Sequence, residues 1–251
     1  MLQNFLHKIV EQKLWLVVVL PLWVGACFIL SQALLTVVVG ILGAVGVDLR
    51  VVNQAVLTTV LGGVIYLVTV VMAIGLPWLI KKNKTTREEL GMTRWPEWLD
   101  LLLAPAGFFV YILLSALLTF IAMQLPFFDA DQVQETGFSQ ISQQYEFVLA
   151  FIMLVIIAPV AEEILFRGYL LGKLRQHVAT WLAILVTSIL FAVVHGAWNV
   201  GVDVFALSII LCLLRIISKS LWPSILLHML KNGVAFYFLF INPMFLGTLG
   251  G

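Results

Sequence analysis

Three long stretches of the sequence contain no charged side chain. They cover residues 14–47, 51–80 and 101–128. An α-helix rises about 1.5 Å per residue, so about 20 apolar residues cross the roughly 30 Å of hydrocarbon in a bilayer. Each stretch is therefore long enough to span a membrane, and its excess length can be taken up by tilt. The first is far longer than the apolar part of a secretory signal, so we predict an uncleaved first span.

Four further apolar stretches follow, at residues 147–161, 178–202, 204–214 and 221–241. The first of these runs directly into Glu162 and Glu163 without a glycine or proline cluster, so both carboxylates are predicted to lie inside the fourth helix. The stretch between Asp203 and Arg215 gives only about 16 Å of helix, and we count it as a short sixth span. The sequence thus predicts an all-α, polytopic transmembrane helical bundle of about seven spans, between six and eight, in which residues 1–251 form a single integral membrane domain.

The overall composition excludes a soluble protein. Apolar residues make up 62% of the chain and charged residues 11%, with a mean hydropathy of +1.09, whereas soluble domains are about half apolar and a quarter charged. The formal net charge of +1 gives no basic excess for binding a phosphate backbone, so no nucleic-acid partner is expected. Cys27 and Cys212 each lie within an apolar run and are interpreted as buried hydrophobic side chains rather than as a disulfide or a zinc site.

The distribution of lysine and arginine predicts the orientation of the spans, because short cytoplasmic loops are enriched in these residues. With the N-terminus in the cytoplasm, Arg50 is the one loop cation that falls outside. The cytoplasmic set is Lys8, Lys13, Lys81, Lys82, Lys84, Arg87, Arg94, Lys173, Arg175, Arg215 and Lys219. Residues 129–146 contain four carboxylates and no lysine or arginine, which suits an outside loop. We therefore expect a multi-pass protein of the cell membrane with a cytoplasmic N-terminus and an outside C-terminus.

Ionisable residues within the spans are candidates for function, because such side chains are costly in hydrocarbon. Glu163 and Arg167 are four residues apart, so their side chains can meet on one helical face and neutralise each other. Glu162 points about 100° away from Glu163 and remains available to polarise a water molecule as a general base. Pro159 lacks a backbone N–H and is expected to free a carbonyl one turn earlier, just before the acidic pair.

Two histidines and an amide supply further polar groups at matching depths. Glu162 and His195 are equally distant from a turn near residues 178–179, so an antiparallel hairpin places them at the same depth. His228 and Asn232 share one face of the last span. An acid, two imidazoles and an amide suffice for water activation and oxyanion stabilisation in acyl hydrolysis. The acid and the two imidazoles could also bind zinc, but the sequence has no His-Glu-x-x-His helix, so we predict catalysis without a metal or other cofactor.

The ordered polar residues resemble those of a known family. The motifs are Glu162-Glu163-x-x-x-Arg167, Phe191-x-x-x-His195 and His228-x-x-x-Asn232. In this order they resemble the CAAX protease and bacteriocin-processing family, also called Abi, which includes the CAAX prenyl endopeptidases. The motif-bearing core covers residues 147–240, and residues 88–92, Glu-Glu-Leu-Gly-Met, resemble a stretch often found upstream in such proteins. The resemblance implies that Glu162 activates water together with His195. It also implies that His228 and Asn232 stabilise the oxyanion and that Glu163 and Arg167 support the site.

Three functions are compatible with these residues. The first is an intramembrane, glutamate-dependent endopeptidase that cleaves a peptide or membrane-protein substrate in a cavity reached from the cytoplasmic side. The second is a non-catalytic membrane scaffold or bacteriocin-immunity-type factor that binds a partner through the same cavity. A proton or solute carrier could use the same buried groups, but the sequence lacks inverted repeats, and we rank this function last. In each case the lipid bilayer is the surrounding medium.

Overall fold

In the computed structural model, residues 2–82, 84–126, 128, 137–138 and 141–242 are described, and they form helices with no β-strand. The helices are α1 (Leu2–Ala44), α2 (Gln54–Ile80), α3 (Arg87–Leu90), α4 (Trp98–Ala122), α5 (Gln144–Arg175), α6 (Thr180–Val193), α7 (Trp198–Ser218) and α8 (Trp222–Ile241). A 3-10 turn at Leu49–Val51 lies between α1 and α2. Four stretches within the long helices have π geometry: Val71–Gly75, Ile152–Ile157, Ile164–Leu170 and Tyr237–Ile241.

Six of these helices are long and apolar enough to cross a membrane, and α6 is a shorter apolar helix. The protein is therefore a polytopic helical membrane protein, as the sequence predicts. Helix α7 packs against α4, α6 and α8, and α5 packs against α2 and α8. Helices α5 and α7 are the most buried, whereas α1, α2 and α4 expose most of their apolar surface. The exposed apolar faces of the outer helices are suited to contact with lipid.

The predicted boundaries of the fifth and sixth spans are wrong. Residues 178–202 do not form one span, because α6 ends at Val193 and Gly196 adopts a φ of +74° before α7 begins. The short span at residues 204–214 is in fact the central part of α7, which has 21 residues. The sequence suggests Asp203 as the end of an apolar run, but it lies inside α7, where Tyr111 and Ser115 donate hydrogen bonds to its carboxylate. A charge that is satisfied in this way does not end a helix.

The ends of the other spans differ less. Helix α4 ends at Ala122, earlier than the predicted limit at residue 128, and the nearby Pro126 cannot continue a helix. Helix α2 begins at Gln54, where the side chain of Asn53 accepts hydrogen bonds from two backbone N–H groups of the first turn. Helix α5 runs without a break through Glu162 and Glu163, so the prediction that both lie inside a helix is confirmed. The greater part of the predicted outside loop, residues 129–136 and 139–140, lies outside the described residues.

One end of the bundle, which we call the basic end, gathers the predicted cytoplasmic loops. Helix α3 docks there against the last turn of α5, where Lys173 Nζ lies 3.2 Å from the Glu89 carboxylate and Gln176 donates to it at 3.0 Å. Arg215 of α7 donates to the Glu89 carbonyl oxygen at 3.0 Å. Burial raises the pKa of Glu89, but the hydrogen bonds from Thr86, Gln176 and Lys173 outweigh it and hold the pKa below its usual range. Residues 88–92 are thereby fixed to the motif-bearing helix.

The opposite end, which we call the far end, contains the start of α2 and the start of α5. Asn53 donates to the carboxylate of Glu146 at 2.6 Å, and the Thr58 hydroxyl donates to the Gly137 carbonyl oxygen at 3.4 Å. Helices α1 and α2 are antiparallel, because the Ser31 and Thr69 hydroxyls are hydrogen-bonded while Trp23 donates to the Ala73 carbonyl oxygen. The first residues of α1 therefore lie toward the basic end.

Candidate active site

A polar cavity of about 290 Å³ lies between α2, α5, α7 and α8. The four side chains that the sequence suggests as catalytic all line it: Glu162, His195, His228 and Asn232. Tyr66 and Lys231 also contribute to its wall. On α2, the residues that line it lie in the half of the helix nearer the far end. Polar groups from four separate parts of the chain thus converge in an otherwise apolar bundle.

Glu163 and Arg167 form the ion pair that their spacing predicts, and it is buried. An Arg167 Nη atom donates to Glu163 Oε1 at 2.8 Å, and both side chains are completely buried. His228 Nδ1 lies 2.9 Å from the same carboxylate oxygen, so a third group shares this contact. The guanidinium also stacks on the Phe191 ring at 4.2 Å from the ring centroid. These contacts fix the α5 face next to Glu162 and anchor His228 on α8.

Glu162 faces the cavity rather than Arg167. Its Oε1 accepts a hydrogen bond from the Tyr66 hydroxyl at 2.5 Å, and its Oε2 lies 3.7 Å from His228 Nε2. Its side chain retains some exposure, whereas that of Glu163 has none. The difference of about 100° between neighbouring helical positions therefore separates a buried, paired carboxylate from one that reaches the cavity.

His195 lies just after α6, in the turn that leads to α7. Its Nδ1 is 2.6 Å from the Phe191 carbonyl oxygen. Because a carbonyl oxygen only accepts hydrogen bonds, Nδ1 carries the proton, and Nε2 of the neutral ring is a hydrogen-bond acceptor. The ring packs edge-to-face on Phe191 with centroids 4.8 Å apart. The Phe191-x-x-x-His195 spacing thus provides both the acceptor and the packing surface that orient the imidazole.

Asn232 is positioned by the irregular backbone of α5. Its side-chain amide donates to the Leu154 carbonyl oxygen at 2.9 Å. In this π segment the N–H of Ala158 donates to the carbonyl oxygen of Met153, five residues earlier. By the same pattern, the carbonyl oxygen of Leu154 would accept from the N–H of residue 159. That residue is Pro159, which has no N–H. The structure agrees with the expectation that Pro159 frees a carbonyl one turn earlier, and it shows that Asn232 satisfies this carbonyl.

Sequence reasoning gave no role at the site to three polar residues that lie in it or beside it: Tyr66, Lys231 and Asp203. Tyr66 lies 96 positions from its partner Glu162, and no motif connects the two; a tyrosine within an apolar span was the one signal available. Lys231 Nζ lies 3.4 Å from Asp203 Oδ2, whereas the sequence analysis used Asp203 only as a span limit. The Asp203 carboxylate also binds Tyr111 of α4, and so links α4, α7 and α8 beside the cavity.

The described part of the chain contains no group of three or more His, Cys, Asp or Glu side chains arranged to hold a metal ion. Both ring nitrogens of His228 already face carboxylates, Nδ1 that of Glu163 and Nε2 that of Glu162. Cys27 and Cys212 are buried and unbridged, as predicted.

Residues 144–234 match the family model described as type II CAAX prenyl endopeptidase Rce1-like. The chain is 33% identical over 94 residues to the membrane-embedded CAAX protease MroQ of Staphylococcus aureus (strain USA300), which is 35% of this chain and 38% of that protein. It is 34% identical over 87 residues to an uncharacterized 24.3 kDa protein of Escherichia coli, which is 33% of this chain and 40% of that protein.

The matched part spans less than half the length of these curated relatives, and no solved structure matches the chain. All three motifs nevertheless fall within the matched residues, from Glu162 to Asn232. Over residues 144–234, the resemblance of this multi-pass membrane protein to the CAAX protease and bacteriocin-processing family is therefore confirmed.

Proposed function

We propose that this protein is an intramembrane, glutamate-dependent endopeptidase that hydrolyses a peptide or membrane-protein substrate. The observation that carries the proposal is the convergence of Glu162, His195, His228 and Asn232 on one cavity within an apolar bundle. Ionisable groups at such a depth are costly, and they persist where they serve a function. The match to a family of membrane proteases supports the same reaction class.

In the proposed reaction, Glu162 and Nε2 of His195 hold a water molecule in the cavity. Glu162 takes a proton from this water molecule while the water oxygen attacks the carbonyl carbon of the scissile peptide bond. The resulting tetrahedral intermediate collapses when the C–N bond breaks, and the leaving amine receives the proton that Glu162 had taken. The products are a new carboxyl terminus and a new amino terminus, and the carboxylate is regenerated.

His228 and Asn232 stabilise the negative charge of the intermediate in this scheme. Nδ1 of His228 lies against the Glu163 carboxylate, and its Nε2 is directed toward Glu162 and the cavity, where it can donate a hydrogen bond to the oxyanion when it carries a proton. Asn232 uses one amide N–H to bind Leu154 and keeps the other for the oxyanion.

Comparison of peptides from host cells tests the proposed function without knowledge of the substrate. Membrane and secreted peptides are quantified by mass spectrometry from cells with and without the protein. We expect at least one cleaved peptide whose appearance depends on the protein. Identical peptide profiles, together with a host phenotype that requires the protein, would instead support the scaffold or immunity function.

Tyr66→Phe should lower kcat by up to about a hundredfold, because small displacements of a reacting group have effects of this size. The Tyr66 hydroxyl contacts Glu162, so its loss frees this carboxylate to rotate while KM changes little. The measurement is the separate determination of kcat and KM on the peptide identified above. Tyr237→Phe is the matched control, because Tyr237 is exposed on α8. Equal kinetics for Tyr66→Phe and wild type would show that this hydrogen bond does not position Glu162.

We also predict that catalysis does not depend on a bound metal. The active protein, purified in detergent, should contain less than one equivalent of zinc and should keep its activity after prolonged treatment with a chelator. Metal content by elemental analysis and the rate of cleavage are measured on the same preparation. Zinc bound at one per chain, with activity that disappears on chelation and returns with zinc, would contradict the prediction.

A further inference from the structure

The cavity wall follows one face of α2 toward the far end of the bundle. Thr58, Gly62 and Tyr66 are spaced four residues apart, and all three line the cavity. They lie in the first half of a helix that begins at Gln54, and the cavity wall includes no residue from its second half, toward the basic end. The cavity thus runs from the depth of Tyr66 toward the start of α2.

Helix α5 shows the same direction. Three of its residues that line the cavity, Met153, Leu154 and Ala158, lie in the half that begins at the far end, and Glu162 lies just past the midpoint. Phe138, from the segment that precedes α5, also contributes to the wall. Beyond Glu162 toward the basic end, the side chains of Glu163, Phe166 and Arg167 are completely buried and close the bundle. Glu162 therefore lies at the inner end of the cavity, and the part next to Thr58, which we call its mouth, lies toward the far end.

The charge distribution assigns the two ends to the two sides of the membrane. The basic end gathers the cations of the loops after α2, α5 and α7, and contacts between Glu89, Lys173 and Arg215 hold these loops together. At the far end, Arg50 is the one loop cation among the described residues. Asp48 is two positions from it in the sequence, and Glu146 lies at the same end, where it is bound by Asn53. By the positive-inside rule, the basic end is cytoplasmic and the far end is not.

We infer that the catalytic cavity is entered from the non-cytoplasmic side, and that its substrate is an exported peptide or an outward-facing segment of a membrane protein. The inference rests on the proposed function and reverses the cytoplasmic access expected from the sequence.

Accessibility of single cysteines to a membrane-impermeant, charged methanethiosulfonate tests the side from which the cavity is entered. Cys27 and Cys212 are first replaced by alanine. Thr58→Cys then reports on the mouth, Val51→Cys on the surface of the far end, and Arg87→Cys on the basic end. Val51 and Arg87 are both exposed. The same series is also made in the protein that retains Cys27 and Cys212, which are both buried. It serves as the control if the cysteine-free protein does not fold.

In intact spheroplasts, we expect the reagent to label Thr58→Cys and Val51→Cys but not Arg87→Cys. In inverted vesicles, it should label Arg87→Cys and leave the other two unmodified. Labelling of Thr58→Cys only in inverted vesicles would overturn the inference, because the mouth would then be cytoplasmic. Absence of labelling at Thr58→Cys on both sides, with both controls labelled as expected, would equally overturn it, because the cavity would have no open mouth.

A second arm separates this inference from the proposed function. The labelling series is repeated with Glu162→Gln, which removes the general base but not the cavity, and the same pattern is expected. In variants that retain Glu162, the external reagent should stop the Thr58→Cys variant from forming the host peptide. Peptide formation by the Arg87→Cys variant should stay unchanged. If labelling follows the expected pattern but no peptide depends on the protein, then the proposed function fails and the direction of entry stands.

Discussion

Glu162→Gln is expected to lower the rate of peptide cleavage by about 10²–10⁴-fold, the usual contribution of a general base. The amide has nearly the same shape as the carboxylate but cannot take a proton from water. The Tyr66 hydroxyl, which donates to Glu162 in the wild type, can still donate to the amide oxygen, so the cavity should be retained. The measurement is the rate of formation of the protein-dependent peptide in membranes that contain equal amounts of each variant.

Glu88→Gln is the matched control for this substitution. Glu88 is exposed on α3 at the basic end, far along the chain from the cavity, so the same chemical change should leave the rate unaltered. If Glu162→Gln cleaved the peptide at the wild-type rate, the role proposed for Glu162 would be wrong. If both variants lost activity together, the loss would reflect general damage to the protein rather than removal of a base.

Arg167→Met should reduce the free energy of unfolding by about 3–5 kcal/mol, the cost of removing one partner from a buried ion pair. Arg167 and Glu163 are completely buried and lie 2.8 Å apart. Without the guanidinium, Glu163 keeps only His228 as a partner among the contacts described. The stacking of the guanidinium on Phe191 is also lost. The measurement is reversible unfolding in lipid–detergent mixed micelles, with helix content as the signal.

The double variant Glu163→Gln with Arg167→Met separates the loss of a charge partner from the loss of packing. Because it leaves no unpaired carboxylate at position 163, we expect it to recover part of the stability that Arg167→Met loses. If the double variant were less stable than Arg167→Met by the full cost of a second independent substitution, then the two residues would not act as a pair. Wild-type stability for Arg167→Met would contradict the account of the buried ion pair directly.

The predictable part of the site consists of residues whose relations follow from helix geometry. The Glu163–Arg167 ion pair follows from a spacing of four residues, and a hairpin turn near residue 178 accounts for the presence of Glu162 and His195 in one cavity. Tyr66 could not be found in this way. It reaches Glu162 from another helix, through a packing of α2 against α5 that no local pattern specifies.

The errors at the fifth and sixth spans have one physical origin. Sequence reasoning treated charged residues as ends of spans, so Asp203 divided α7 and shortened the sixth span. In the structure, Asp203 pairs with Lys231 and accepts hydrogen bonds from Tyr111 and Ser115, so its charge is compensated within the bundle. The true interruption is at Gly196, where a positive φ turns the chain directly after His195. Compensation by residues distant in sequence is visible only once the helices are packed.

The central claim is that Glu162 and His195 act on the same water molecule, and a double-variant comparison tests it most directly. The rates of peptide formation are measured for wild type, Glu162→Gln, His195→Ala and the double variant, in membranes with equal protein content. Residues that act as a unit are strongly non-additive, so we predict that the double variant is no slower than the slower single variant. Losses that multiply in the double variant would contradict the claim, as would a His195→Ala variant with the wild-type rate.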